Sequence, residues 1–435
     1  MPRPLEPDGY LADPAGRHRD MTLIPHDLLR PLRAIHDWLF RPVSAVPFGL
    51  LRMGWAMAGI LTLLPQVNRV WLFYSDQGVF PPEWAANYSR SLYRFTLLTY
   101  VHDPLAVQAL FFLLLFSLAC MAVGYRARLA TILSVVLMTS FQEHSYAVFA
   151  GGDSVLRIVG FILMISPGIG AVSVDRLLAQ ERVWIDEKRT LPRPTMPAWP
   201  RLLLTWQMIL IYVTAGWYKL LDPMWRNGSG TVASMSHVEF ARFGSGVWDV
   251  VAYFSVPLSW GTIAWQLSWL VFLVPLSARR RLPGWLRHYR LAMLAVGVVF
   301  HAMILVLMDA GIFSIAMIAV YMGILDQDDY DALRDGINRL AKWRGRIAVL
   351  YDGHCSFCRR TVLPLLLGDW LQRIMLVDFQ DEAARAAAAP DIDKIALDQA
   401  LHVRFPDGRT GAGFDGIRLL AWHLPWLWPA LPFLY

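Results

Sequence analysis

The sequence predicts an α-helical polytopic membrane domain of about eight spans followed by a small α/β domain, and three observations carry that expectation. Of 435 residues, 56% are hydrophobic and only 17% charged, against about 25% charged in a soluble domain. Several apolar runs approach the roughly 20 residues needed to cross a bilayer. After Leu325 the composition changes to a charged stretch and then to short alternating strand and helix patterns. The net charge of +6 is scattered between apolar runs, so it does not mark a nucleic-acid binder, and no nucleic-acid partner is expected.

The apolar runs fall near residues 48 to 66, 105 to 123, 129 to 149, 154 to 172, 201 to 221, 255 to 276, 291 to 308 and 311 to 325. Basic residues set their orientation. Arg30, Arg33 and Arg41 precede the first run, Arg126 and Arg128 follow the second, and Arg176, Arg182, Lys188, Arg189 and Arg193 follow the fourth. Arg279, Arg280, Arg281 and Arg287 follow the sixth. With eight spans all of these face the cytoplasm, as do both termini. The opposite loops are sparser, with Arg69, Arg90 and Arg94 in one and Arg226 and Arg242 in another. Trp84, Trp199 and Trp260 fit an interfacial aromatic belt. The expected organisation is a cytoplasmic arm (1–47), the membrane domain (48–325), a charged linker (326–345) and the α/β domain (346–435). The first 20 residues, with four prolines, lack the apolar core of a signal peptide. The expected location is an integral membrane protein of a bacterial inner membrane.

In the last segment, a strand from Arg346 to Tyr351 ends in an Asp352-Gly353 turn, and Cys355 and Cys358 follow at Cys-x-x-Cys spacing. A helix over 355–367, a strand over 374–379, a helix over 381–388, a strand over 401–405, a turn at Asp407-Gly408 and a helix near 416–423 complete the pattern. The chain has only three cysteines, so the pair points to redox or metal chemistry. A thiolate at the start of a helix is favoured by free backbone N–H groups and the helix dipole, which makes Cys355 the attacking sulfur. Arg359 and Arg360 either support that thiolate or form a solvated face. Zinc needs four ligands, and neither a second Cys-x-x-Cys nor a suitable His spacing among His354, His402 and His423 supplies them; no metal is expected. Zinc and an inert buried pair remain the alternatives to dithiol–disulfide exchange.

The segment resembles the DCC family of thiol-disulfide oxidoreductases, with Asp352, Cys355 and Cys358 on the signature positions. The similarity continues through Leu376-Val377-Asp378-Phe379-Gln380, Gly413-Phe414-Asp415-Gly416 and Leu424-Pro425-Trp426-Leu427-Trp428-Pro429. The resemblance implies a thioredoxin-like sheet and a redox-active Cys355–Cys358 disulfide exchanging with a small thiol or thiol protein. No proline stands directly before the strand at Leu401, where thioredoxins carry their cis-proline, so substrate docking is expected to differ.

The membrane part resembles the HTTM domain, found in vitamin K-dependent gamma-carboxylases and bacterial relatives. Gln142-Glu143-His144-Ser145-Tyr146 with Gly151-Gly152-Asp153, the stretch Tyr212-Val-Thr-Ala-Gly-Trp-Tyr-Lys219-Leu220 before Trp225, and His301 carry the resemblance. Glu143 departs from the family's usual Asn. The resemblance implies that Lys219 removes a proton from a hydroquinone and that His144 assists, with Asp153 and His301 supporting; a quinone or hydroquinone is then a co-substrate, and no tightly bound cofactor is expected. The carboxylases' large C-terminal extracytoplasmic region is replaced here by the cysteine module, which argues against carboxylation of protein glutamates. The plainer readings are an anchoring lysine, a structural cluster of His144, Asp153 and Arg157, and a structural His301. A lipid- or quinone-binding scaffold without turnover is the alternative class, and a transporter is weakened by the lack of internal repeats. Lys219, His144 and Asp153 map to the face opposite Cys355 and Cys358.

Overall fold

The computed structural model describes residues 26–79, 96–144, 150–187, 189–274, 278, 281–283 and 288–435. Trp84, Arg90, Arg94, Ser145, Tyr146, Lys188, Arg279, Arg280, Arg287 and the proline-rich first residues lie outside this set. Residues 1–41 form one unit and 42–435 another. The first contains helix α1 (His26–Phe40), which exposes Leu32, Ile35, Trp38 and Phe40.

The second unit opens with strand β1 (Pro42–Ser44), then α2 (Val46–Leu63), α3 (Val70–Tyr74), α4 (Pro104–Val123), α5 (Ala127–His144), α6 (Gly151–Ile165) and α7 (Val174–Glu187). Strand β2 (Thr195–Pro197) pairs antiparallel with β1. Helices α8 (Trp199–Leu221), α9 (Ser255–Leu267), α10 (Tyr289–Leu307) and α11 (Phe313–Ile324) follow, with short helical turns between α8 and α9. A helix therefore lies in each of the eight apolar runs. Four stretches are long and apolar enough to cross a bilayer: Val46–Tyr74, Pro104–Val123, Ser255–Leu273 and Tyr289–Leu307. At 12 residues, α11 is too short for 30 Å of hydrocarbon. The polar residues of α5, which include Gln142, Glu143 and His144, dilute its apolar character.

Helix α4 shows how the domain uses apolar surface. It buries Val107, Phe111, Leu114, Leu118 and Met121, while Leu105, Phe112, Phe116 and Val123 remain exposed. A helix apolar all round with an exposed apolar face is built for lipid. Inside, small residues permit close crossings. A Cβ on Gly160 would stand 2.8 Å from the Trp55 ring, and the Trp55 indole N–H donates to the Leu156 carbonyl at 2.7 Å.

Helix ends are closed by arginines. Buried Arg52 donates to the carbonyls of Met121, at 2.6 Å, and Val172, satisfying part of the last turn of α4. Arg290 donates to the Ile324 carbonyl at the end of α11 at 2.6 Å and pairs with Asp329 at 3.5 Å, both almost without solvent. Asp329 also belongs to the reciprocal cap that starts α12 (Gln327–Leu340), whose N-cap is Asp326. The junction between the helical region and the chain beyond it is thus a buried ion pair joined to a helix cap.

The remainder is a small mixed α/β domain of β3 (Ile347–Tyr351), α13 (Ser356–Leu367), β4 (Ile374–Asp378), α14 (Glu382–Ala388), α15 (Lys394–Gln399), β5 (His402–Arg404), β6 (Thr410–Ala412) and α16 (Gly413–Ala421). The sheet order is β4-β3-β5-β6, with β3 and β4 parallel and the other pairs antiparallel. Every residue of β3 is buried. Alternation sends Ile347, Val349 and Tyr351 into one cluster with Val362 and Leu363, and Ala348 and Leu350 into another with Val377, Phe379 and Leu397. The expected strands and helices are present within a few residues; the short β6 and α15 were not anticipated, being too brief for a periodic signal.

Asp329→Ala leaves the buried Arg290 guanidinium without its carboxylate and opens the α12 cap. The expected loss is about 3–5 kcal/mol, read as a lower thermal unfolding midpoint of the purified protein, with Asp329→Asn losing less because its amide oxygen can still cap.

Candidate dithiol site

Parallel pairing of β3 and β4 sets Tyr351 opposite Asp378, so the turns leaving both strands meet at one edge, where α/β sheets place their sites. The Asp378 carboxylate accepts from the backbone N–H of Gly353 at 2.9 Å and of Gln380 at 3.1 Å. A Cβ on Gly353 would collide with that carboxylate, which is why glycine stands there. Asp352 accepts from the His354 N–H at 2.8 Å and from the Gln380 side-chain amide at 3.2 Å. The two turns are therefore tied by two carboxylates.

Cys355 is the N-cap of α13 in extended geometry, and its sulfur accepts from the Cys358 N–H at 3.4 Å. This is the capping role of serine or aspartate taken by a thiol. That backbone hydrogen bond, with the Cys358 side chain, pulls the Cys355 thiol below its ordinary pKa. Burial, with the neighbouring Cys355 sulfur, pushes Cys358 up to about 11. Both cysteines are free thiols here. Cys355 is therefore the more acidic of the two sulfurs, and Cys358 keeps its proton to higher pH. Burial raises the Asp352 carboxyl, but its hydrogen bonds from His354 and Gln380 outweigh that and the net shift is downward. Ionised Asp352 in turn opposes the Cys355 thiolate. Phe357, between the cysteines, is 74% exposed.

The guanidinium groups of Arg359 and Arg360 engage helix α7. Arg359 Nη1 donates to the Ile185 carbonyl at 2.8 Å, and Arg360 Nε pairs with Glu181 at 2.9 Å. The Trp184 indole N–H donates back to the Arg359 carbonyl at 3.1 Å. Sequence reasoning missed Asp378, Gln380, Trp184 and Glu181. The first two lay inside a quoted motif without an assigned role; the other two had no local signal, since their partners are about 175 residues away.

The other candidate residues lie in the helical region. His144 ends α5 and is buried, with neither ring nitrogen hydrogen-bonded among the described residues. Asp153, in the first turn of α6, accepts from the Gln142 amide at 3.1 Å and the Ala150 N–H at 2.8 Å. Arg157 pairs with Glu143. Lys219 lies 4.9 Å from the centre of the Trp225 ring. His301 is fully buried, hydrogen-bonded through Nε2 to the Tyr212 hydroxyl at 2.7 Å, which also meets the Tyr321 hydroxyl at 2.5 Å. Among the described residues no hydrogen bond or ion pair links Lys219 to His144 or Asp153. Asp153 begins α6 whereas α7 follows its other end, and Lys219 ends the 23-residue α8, roughly 35 Å long at 1.5 Å per residue.

Asp352→Asn removes the negative charge that opposes the Cys355 thiolate. The pH midpoint for alkylation of Cys355 by iodoacetamide is expected to move down in that variant, and Cys355 to label before Cys358 in both proteins; an upward midpoint would show that Asp352 favours the thiolate instead.

The HTTM domain model matches residues 40–328, and the DCC1-like thiol-disulfide oxidoreductase model matches residues 349–435. No curated protein and no solved structure matches the chain. The first match covers well over half of the sequence, and the second takes in Asp352, both cysteines and Asp378, so the chain belongs to the HTTM family and carries a DCC1-like thiol-disulfide oxidoreductase domain at its C-terminal side.

Proposed function

We propose that this chain is a membrane-embedded thiol-disulfide oxidoreductase in which a thioredoxin-like domain (346–435) works from the cytoplasmic face of an eight-helix HTTM domain (48–325). The observation that carries the reading is the asymmetry of the two sulfurs. Cys355, lowered by the Cys358 N–H, is the nucleophile; Cys358, half-buried and pushed up to about 11, is the resolving thiol. The Cys355 thiolate attacks one sulfur of a partner disulfide, forming a mixed disulfide and expelling the other sulfur as a thiolate. Cys358 then loses its proton and attacks Cys355, releasing the second partner thiol and leaving a Cys355–Cys358 disulfide. Two electrons and two protons pass from the pair to the partner, and the direction follows the partner's potential. Arg359 and Asp352 support the site by fixing the turns around the two cysteines.

A second reading adds a quinone, and His144 favours it. Among the described residues neither nitrogen of the buried His144 imidazole is hydrogen-bonded, an unmet desolvation cost, and the Gln142 side-chain oxygen, on the same helix, is also without a partner among them. A quinone oxygen at the end of α5 accepts from the imidazole N–H, and the hydroxyl of the hydroquinone can donate to the Gln142 oxygen or to the other ring nitrogen. Lys219 and Asp153 are then further ionisable residues on the side away from the dithiol, with His301 inside the seventh apolar run. About 30 Å of hydrocarbon separates such a site from Cys355, so the quinone diffuses between faces. It takes two electrons and two protons from the dithiol and becomes the hydroquinone as the disulfide forms.

Cys355→Ser is expected to abolish exchange with a small disulfide, and Cys358→Ser to accumulate the mixed disulfide on Cys355, seen by non-reducing mass analysis. Exchange that survives Cys355→Ser sinks the mechanism. For the quinone, anaerobic reduced protein mixed with a ubiquinone or menaquinone analogue should lose two thiols, more slowly in His144→Ala; equal rates remove His144 from that role.

A further inference from the structure

We infer that helix α7 of the HTTM domain is a positioning element for the dithiol, holding the first turn of α13 through Trp184 and Arg359. The inference rests on the proposed exchange chemistry at Cys355 and Cys358 and assigns that site its scaffold.

Trp184 belongs by sequence to the helical region, yet it is only 7% exposed and joins the apolar cluster of Ile347, Val349, Val362 and Leu363. Leu177, two turns earlier on the same face of α7, and Cys358 pack against the same cluster. The core of the small domain is thus completed by a tryptophan from the other domain. Removing it opens that cluster beside the inner sulfur.

The polar contacts fall on one residue. Arg359 donates its backbone N–H to the Cys355 carbonyl at 3.1 Å, accepts the Trp184 indole N–H on its own carbonyl, and sends Nη1 to the Ile185 carbonyl. Ile185 lies in the last turn of α7, where carbonyls have no partner within the helix and cations are favoured. The guanidinium therefore closes a helix end in the HTTM domain while its backbone frames the two cysteines. Arg360 and Glu181 add an ion pair one turn away.

The far end of α7 is fixed as firmly. Both Asp175 oxygens accept backbone N–H groups, from Arg126 and Ala127, at 2.9 Å each. Gln180 donates to the Arg189 carbonyl at 3.2 Å and accepts the Leu191 N–H at 2.7 Å. A helix pinned at the start of α5 and along the loop to β2 is a rigid platform, and the dithiol turn is mounted on it. The burial that keeps Cys358 protonated then depends on the helical domain as well as on the local fold.

The experiment uses the full chain, reduced, in detergent or lipid nanodiscs. N-ethylmaleimide labelling of Cys355 and Cys358 is followed separately by peptide mass spectrometry across pH. Trp184→Ala is expected to lower the Cys355-to-Cys358 rate ratio about tenfold, the factor for one unit between the two sulfurs, and Trp184→Phe, which keeps most of the packing, to lower it less. An unchanged ratio in Trp184→Ala overturns the inference. Should that variant fail to fold, Glu181→Lys sets like charges against Arg360 on a partly exposed face. It should lower the ratio roughly twofold and regain it when combined with Arg360→Glu; no change in either overturns the inference. Turnover of a small disulfide by the wild type is read separately. Absent turnover with a Trp184-sensitive ratio removes the proposed function, whereas turnover with an insensitive ratio removes the positioning role.

Discussion

Helix C-termini leave carbonyls that must find donors, and in a domain with little interior water the donors must come from the protein. Arginine meets that demand at one helix end after another. Arg52 serves the last turn of α4, Arg128 the Ser166 carbonyl after α6 at 2.8 Å, Arg242 the Leu305 carbonyl near the end of α10 at 2.6 Å and Arg290 the end of α11. A planar group with several donors and a permanent charge suits the task, since it bonds carbonyls and complements the helix dipole together. Arg359 performs the same service for α7 from the other domain.

The arginine device explains why the two domains are coupled structurally and not merely joined by a linker. The chain crosses from one to the other through α12, whose cap contains Asp329, the partner of Arg290. Asn338 in α12 donates to the Leu371 carbonyl at 3.1 Å, and Tyr330 meets the Trp370 ring edge-on. With α7 on α13 as a second contact, the small domain is held at two places. Its redox helix therefore has a fixed surrounding, which a difference in sulfur acidity requires: a lowered Cys355 and a raised Cys358 are both consequences of where backbone N–H groups and apolar side chains stand.

Several polar groups of the helical region obey the same accounting. Ser117 and Ser134 satisfy one another at 2.9 Å, and Thr96 donates to the Ser140 carbonyl at 2.7 Å. In the Tyr212, His301 and Tyr321 chain, His301 Nδ1 has no partner among the described residues. Among the described residues neither nitrogen of His144 is hydrogen-bonded, and the Trp269 indole N–H and the Ser314 hydroxyl are likewise without a partner. The helical region is otherwise a well-packed interior whose outer surface is apolar.

The sequence by itself determined the two-part organisation, a helix in every apolar run, and the strand, turn and helix that present Cys355 and Cys358. These follow from hydropathy, period and turn chemistry, all of which act over neighbouring residues. It also placed Lys219, His144 and Asp153 at or near helix ends. Tertiary structure alone decided which carboxylate fixes the Gly353 turn, because Asp378 reaches it through strand pairing. It decided too that Arg359 and Arg360 meet α7, for a guanidinium near a thiol reads locally as support for a thiolate. Helix-end carbonyls, tryptophan packing and parallel strand register are long-range constraints, and no local pattern encodes which distant residue will satisfy them.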